Sequence, residues 1–277
     1  MDRQLPVRLL PAQWGLNRWE WLYCGLLAGG LLAFLAAPWS LESKSLAALH
    51  GLCAQNPTHS FFFGNARLPF DARMTGIYGG VACTALYLFA RGRWRYGGIP
   101  SVGMALVLAC FIVALALDGM NSFLRDIQQP YLYTPRNELR LVTGLLTGTT
   151  LAVFIWMLIG QVAFARSERT RRPVLSSLPD LGPLLGVHAL FFLLVWTRWE
   201  PLRVPLTLLL LMSAVAVVSG LALGFVILLG RREGMARTTR QLAGPATVAL
   251  LVGVAIIAAT SGSRFLLEAF LGLPAPS

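Results

Sequence analysis

Charge is scarce in this chain. Only 13% of its 277 residues are Asp, Glu, Lys or Arg, about half the share found in a soluble domain. There is one lysine, Lys44, and there are three histidines, His50, His59 and His188. These shortages exclude whole classes of function. A seven-span retinal protein needs a Schiff-base lysine within a helix, and Lys44 falls in a connector. Haem ligated by two histidines inside a bilayer needs two intramembrane histidines, and only His188, in LGVHALFFLLVW, qualifies; a lone histidine there reads as a neutral hydrogen-bond partner. No GxxxxGK[ST] loop is present to cradle nucleotide phosphates. No span carries a carboxylate near its middle, so a proton-relay pump is not expected. Of four cysteines, Cys24, Cys83 and Cys110 lie in apolar runs, where a thiol acts as a small hydrophobe. Cys53 has no partner in its loop, so no disulfide framework follows.

What is abundant is apolar surface. Hydrophobic residues make up 56% of the chain and mean hydropathy is +0.65. Runs near 20 apolar residues read as membrane spans, and seven approach that length: 21–39, 75–90, 100–117, 141–164, 181–197, 204–230 and 245–262. The fold expected is an all-α polytopic helix bundle forming one transmembrane domain over 1–277. The first run is too long, and lacks the small-residue cleavage site, for a secretory signal, so no processing is expected. Glycines four apart, at Gly25/Gly29, Gly76/Gly80, Gly144/Gly148, Gly182/Gly186 and Gly220/Gly224, mark helix faces that neighbouring backbones can approach closely.

Net charge is +11, but the arginines sit between spans, where they set orientation and meet anionic lipid. Nucleic acid is therefore not an expected partner, whereas membrane lipids are. Alternate connectors divide the cations unequally. Fourteen fall in the set of Arg3, Arg8 and Arg18, of 91–95, of 166–172 and of 231–240, against nine in the set containing Lys44, Arg67, Arg73, Arg125, Arg136, Arg140, Arg198, Arg203 and Arg264. The richer set is expected in the cytoplasm. The N-terminus is then inside and the C-terminus outside, and the loops 40–74 and 118–140 form one outward polar cap on the cytoplasmic (inner) membrane. The tail from Arg264 reads as a short amphipathic helix on the outer surface.

Two groups of residues in this cap have chemistry to offer. His50, Cys53, His59 and Asp71 carry the donor types of a zinc or copper site, with ordinary hydrogen bonding and packing as the alternative. Arg73, Asp118, Arg136, Asn137 and Arg140 form the second group. Arg136 and Arg140 are one helical turn apart, and with Arg73 they suggest an anion pocket in which Asp118 orients one guanidinium. Here the alternative is arginines reaching to lipid head groups.

Cys53, Gln55, Ser60, Phe61, Ala72, Arg73, Gly76, Ile77, Tyr78 and Gly80, followed by Asp118-Gly119 and by Asn137, Arg140 and Gly144, resemble the two motif blocks of an uncharacterised prokaryotic integral-membrane family, domain-of-unknown-function family 2085. The resemblance covers about residues 45–165, the first four spans, and leaves three further spans in 166–277. It implies the fold and carries no activity. The chain departs from the pattern at Ala54, where the family has His; at Asp71 and Met74, where it has Cys; and at His59, where it has Arg. A divergent member kept for structure is one implication.

Three functions remain open. The leading one is an outward cap that binds a small anion or anionic lipid head group, with transport as a possible use. A non-catalytic subunit packed among other membrane subunits is the second. A lipid-modifying enzyme using His50, His59 or Asp71 is the third, and no nucleophile and base are paired by spacing to support it.

Overall fold

The computed structural model describes residues 17–93, 96–165 and 170–272. Eight α-helices run α1 Arg18–Ala36, α2 Leu41–Ala48, α3 Ala72–Ala90, α4 Val102–Asp126, α5 Asn137–Ala163, α6 Leu178–Trp196, α7 Arg203–Leu229 and α8 Ala243–Phe270. All but α2 are long, and they stand at the seven expected spans. Six have the length and hydropathy of a membrane span; α3 does not reach that hydropathy. It crosses the bundle nevertheless. Arg73 at its start meets Asp118 of α4, and Arg93 just past its end pairs with Asp180 at the start of α6.

Local chemistry sets several helix starts. Asn17 and Glu20 form a capping box on α1. Asp71 accepts from Met74 N at 2.9 Å to begin α3, and Ser101 does the same through Met104 N for α4. Each cap satisfies an amide that the first turn leaves without a helical partner.

The centre of the bundle is α3 against α5. Apolar burial does little to associate helices within lipid, so close backbone packing matters more. Gly76 and Gly80 face Gly144 and Gly148, and a Cβ on either Gly76 or Gly144 would lie 2.8 Å from the other's Cα. The remaining glycine pairs differ. Gly220 and Gly224 receive Ile155 and Leu158 side chains, whereas Gly25, Gly29, Gly182 and Gly186 have nothing within 4 Å. Helix α1 buries none of its residues and leans on α8.

The connectors gather at two ends of the bundle. One end, the cap, gathers α2, the hairpin of β1 (Ser60–Phe63) and β2 (Ala66–Asp71), the turn between α4 and α5, and the C-terminal end of α8. The other end holds a short parallel pairing of β3 (Tyr96–Gly98) with β4 (Thr170–Pro173). Arg3, Arg8, Arg95, Arg166 and Arg169, part of the charge asymmetry, lie outside the described residues.

Two expectations are corrected. Helix α4 does not stop near residue 117 but continues to Asp126; the buried Asp118 carboxylate is tolerated within it because Arg73 supplies the counter-charge and Tyr133 donates a hydrogen bond. The connector at that end is therefore 127–136 rather than 118–140. The chain from Arg264 is not a separate surface helix either. It continues α8 to Phe270 and packs on the first loop; residues 273–277 lie outside the described residues.

Candidate functional site

The hairpin gives the cap a core of its own. Phe61, Phe63, Leu68 and Phe70 are fully buried, and the ring of Phe70 stacks on Tyr78 of α3 with centroids 4.6 Å apart. Gln55 knots the preceding loop to this hairpin. Its Nε2 donates to Leu46 O at 2.9 Å and Pro69 O at 3.1 Å, and its backbone carbonyl accepts from Arg67 at 2.8 Å. The backbone of Gln55 is left-handed, with φ +54°. That conformation is costly for a residue other than glycine, by roughly 1–2 kcal/mol, and the buried amide network holds it there.

The same amide fixes its neighbour. With Nε2 committed to two carbonyls, Gln55 presents Oε1 to His50 Nδ1 at 3.1 Å, so Nδ1 is the donor. His50 Nε2 lies 2.7 Å from Glu268 Oε2, and one proton is held between them. Arg264 completes the latch, donating to Glu268 Oε1 at 2.8 Å, to His50 O at 2.7 Å and to Cys53 O. Ser261 bridges the same contact, accepting from Gly51 N and donating to Ala48 O. The last helix therefore clamps the first loop.

The four candidate metal donors do not converge. His50 is occupied by Gln55 and Glu268, His59 by Arg140, and Asp71 by the first turn of α3. Cys53 accepts from the amides of Gln55 and Asp71, and burial, with Asp71 beside it, pushes its thiol up to about 12. Among the described residues no three His, Cys, Asp or Glu side chains gather into a metal-holding group.

The ionic group is only partly assembled as expected. Arg73 Nη2 meets Asp118 Oδ2 at 2.8 Å and Ser122 Oγ at 3.3 Å, and Tyr133 donates its hydroxyl to Asp118 Oδ1 at 2.9 Å. Partial burial and the bond to Asp118 raise the Tyr133 phenol. Asn121 holds the 132–133 backbone through its amide, bringing that tyrosine in. Arg140 is 4% exposed. It donates to Asn137 Oδ1 at 2.8 Å and to His59 Nε2 at 3.2 Å, and its Nε has no partner. Because His59 Nε2 accepts from a guanidinium, His59 is neutral; burial and then the Arg140 charge lower its pKa below the usual 6.5.

Arg136 does not join this group. It is the extended N-cap residue of α5, at φ −126° and ψ 144°, so helical spacing does not bring its side chain beside that of Arg140. It lines a separate recess of about 550 Å³ with Tyr133, Glu138 and Phe192. Arg140 instead lines an open recess of about 400 Å³ with Thr58, His59, Arg125, Asp126 and Asn137. Thr58, Arg125, Asp126 and Pro135 also line this recess; they lie within the expected cap loops but carry no pattern that singles them out.

Comparison with known families falls on this same half of the bundle. Residues 53–154 match the family of a predicted membrane protein, DUF2085. The matched stretch begins at Cys53, includes the glycine-packed α3 and α5, and contains Arg73, Asp118, Asn137 and Arg140. The DUF2085 resemblance read from the residues is thus the one found. No curated protein and no solved structure matches the chain. Apolar helices and the DUF2085 match together make this an integral, multi-pass membrane protein.

Proposed function

We propose that the cap faces away from the cytoplasm and binds a small oxyanion, of the phosphate or carboxylate class, in the recess beside Arg140. The observation that carries this reading is Arg140 itself. It is a buried guanidinium with no ion pair among the described residues, held by two neutral groups, with donor capacity left over. A buried charge without a counterion is costly. An oxyanion supplies both the counter-charge and acceptors for the remaining N–H groups. Arg125 adds a second cation to the recess, and His59 one that can be gained on protonation. Asp126 opposes them from the same lining, which favours a ligand seated toward Arg140. Arg73, bound to Asp118, sets the field behind Arg140 rather than contacting the ligand.

The test is the thermal stability of the purified, detergent-solubilised protein titrated with inorganic phosphate at constant ionic strength. Saturable stabilisation is expected, and Arg140→Gln and the surface change Arg125→Gln should weaken it. Arg232→Gln, an exposed cation at the other end of the bundle, should leave it unchanged. Absence of saturable stabilisation in the wild type, or its persistence in a folded Arg140→Gln protein, sinks the reading.

A further inference from the structure

The second cap recess has a different chemistry. It measures about 550 Å³ and opens on the flank of the bundle between α5 and α6. That volume is within the range of small-molecule sites, roughly 300–1,000 Å³. Its apolar lining includes Leu139, Val142 and Phe192, beside Tyr133 and Thr134. Leu139 and Val142 are 38% and 39% exposed although they sit on a membrane-spanning helix, so acyl chains are their natural neighbours. The charged lining residues are Arg136, which is exposed, and Glu138, which is half-buried. Neither takes part in an ion pair among the described residues.

We infer that this recess holds one phospholipid with a zwitterionic, primary-amine head group, of the phosphatidylethanolamine class. Arg136 takes the lipid phosphate and Glu138 accepts from its ammonium, while Leu139, Val142 and Phe192 take the upper methylenes of an acyl chain. Arginine suits a phosphate because it presents several N–H donors in one plane. The adjacent carboxylate selects among phosphate lipids. It repels the extra hydroxyl-bearing anion class, phosphatidylglycerol, whose head group has nothing positive to offset it. It also prefers a primary ammonium to the trimethylammonium of phosphatidylcholine, which has no N–H to donate. This site is distinct from the Arg140 recess and does not depend on it.

Delipidated protein, mixed in detergent with equimolar phosphatidylethanolamine, phosphatidylglycerol and phosphatidylcholine of identical acyl chains, provides the test by native mass spectrometry. Phosphatidylethanolamine should bind about tenfold better than either competitor, the effect of one charge-assisted hydrogen bond. Glu138→Gln should reduce it to the level of phosphatidylglycerol, and Arg136→Gln should weaken all three. The charge-swapped double variant Arg136→Glu with Glu138→Arg, which keeps both charges on the surface, should retain the phosphatidylethanolamine preference. Equal binding of the three lipids to the wild type, a preference for phosphatidylglycerol, or a phosphatidylethanolamine preference that survives Glu138→Gln overturns the inference.

Discussion

Gly76 and Gly144 meet so closely across the α3–α5 crossing that a methyl group on either would lie 2.8 Å from the other's Cα. The obstacle is backbone on both sides, which cannot rotate away. Gly144→Ala must therefore separate two helices at the centre of the fold, at a cost of about 1–3 kcal/mol from overpacking. Gly182→Ala, where nothing lies within 4 Å, should be neutral or stabilising, since alanine is the better helix former by about 1 kcal/mol. Thermal unfolding of the two variants in one detergent checks the contrast, and equal losses would contradict it.

Asp118 is 2% exposed and Arg73 26% exposed, with 2.8 Å between their charged atoms. Removing one partner leaves the other charge buried, which costs about 3–5 kcal/mol. Arg73→Met should therefore destabilise strongly. Adding Asp118→Asn should recover part of the loss, because an amide is cheaper to bury than a carboxylate. A double-mutant cycle on unfolding midpoints measures the coupling; strictly additive losses would mean that the pair does not act as a unit.

The long helices were legible because most hold a long apolar run, although α3 falls short of span hydropathy and α4 continues past its run. The glycine spacing was legible as a set of helix faces, but it does not say what fills a face. Gly76 and Gly144 found each other, while Gly25 and Gly182 face open space. Asp118 misled the reading of α4, since a carboxylate marks the end of a span only when nothing inside the bundle neutralises it. Arg136 and Arg140 have the spacing of one helical turn, yet the turn begins after Arg136. The His50 to Glu268 contact joins residues 218 apart in the chain, and no local pattern reports such a pair. Its only signal was Arg264 and Glu268 four apart, a spacing that places them on one face of a helix.

Acidification should loosen the cap through His59. Its pKa is lowered in the folded protein by burial and by Arg140, so the unfolded chain takes up the proton first. Stability rises with pH wherever the unfolded state binds more protons. The contribution is complete above the unfolded value of about 6.5 and is lost as pH falls from there through the lower folded value. His59→Gln removes the titrating group, and its stability should be flatter than that of the wild type between pH 7 and pH 5. If the two profiles run parallel, His59 is not the group responsible. Phosphate should reduce the wild-type loss, because an anion beside Arg140 makes the imidazolium easier to form.

The native thiol in the cap is unsuited to mapping its side of the membrane. Cys53 is buried and its thiol is pushed up to about 12, so it should resist maleimide until the protein unfolds. Asn65, at the exposed turn of the β1–β2 hairpin, and Glu233, exposed at the other end of the bundle, are better reporters. The outward placement proposed for the cap rests on the excess of cations in the opposite set of connectors. A membrane-impermeant maleimide should therefore label Asn65→Cys in intact cells and Glu233→Cys only after the membrane is opened. The reverse pattern would turn the whole bundle over and place the Arg140 recess in the cytoplasm, where its ligand would be an intracellular oxyanion.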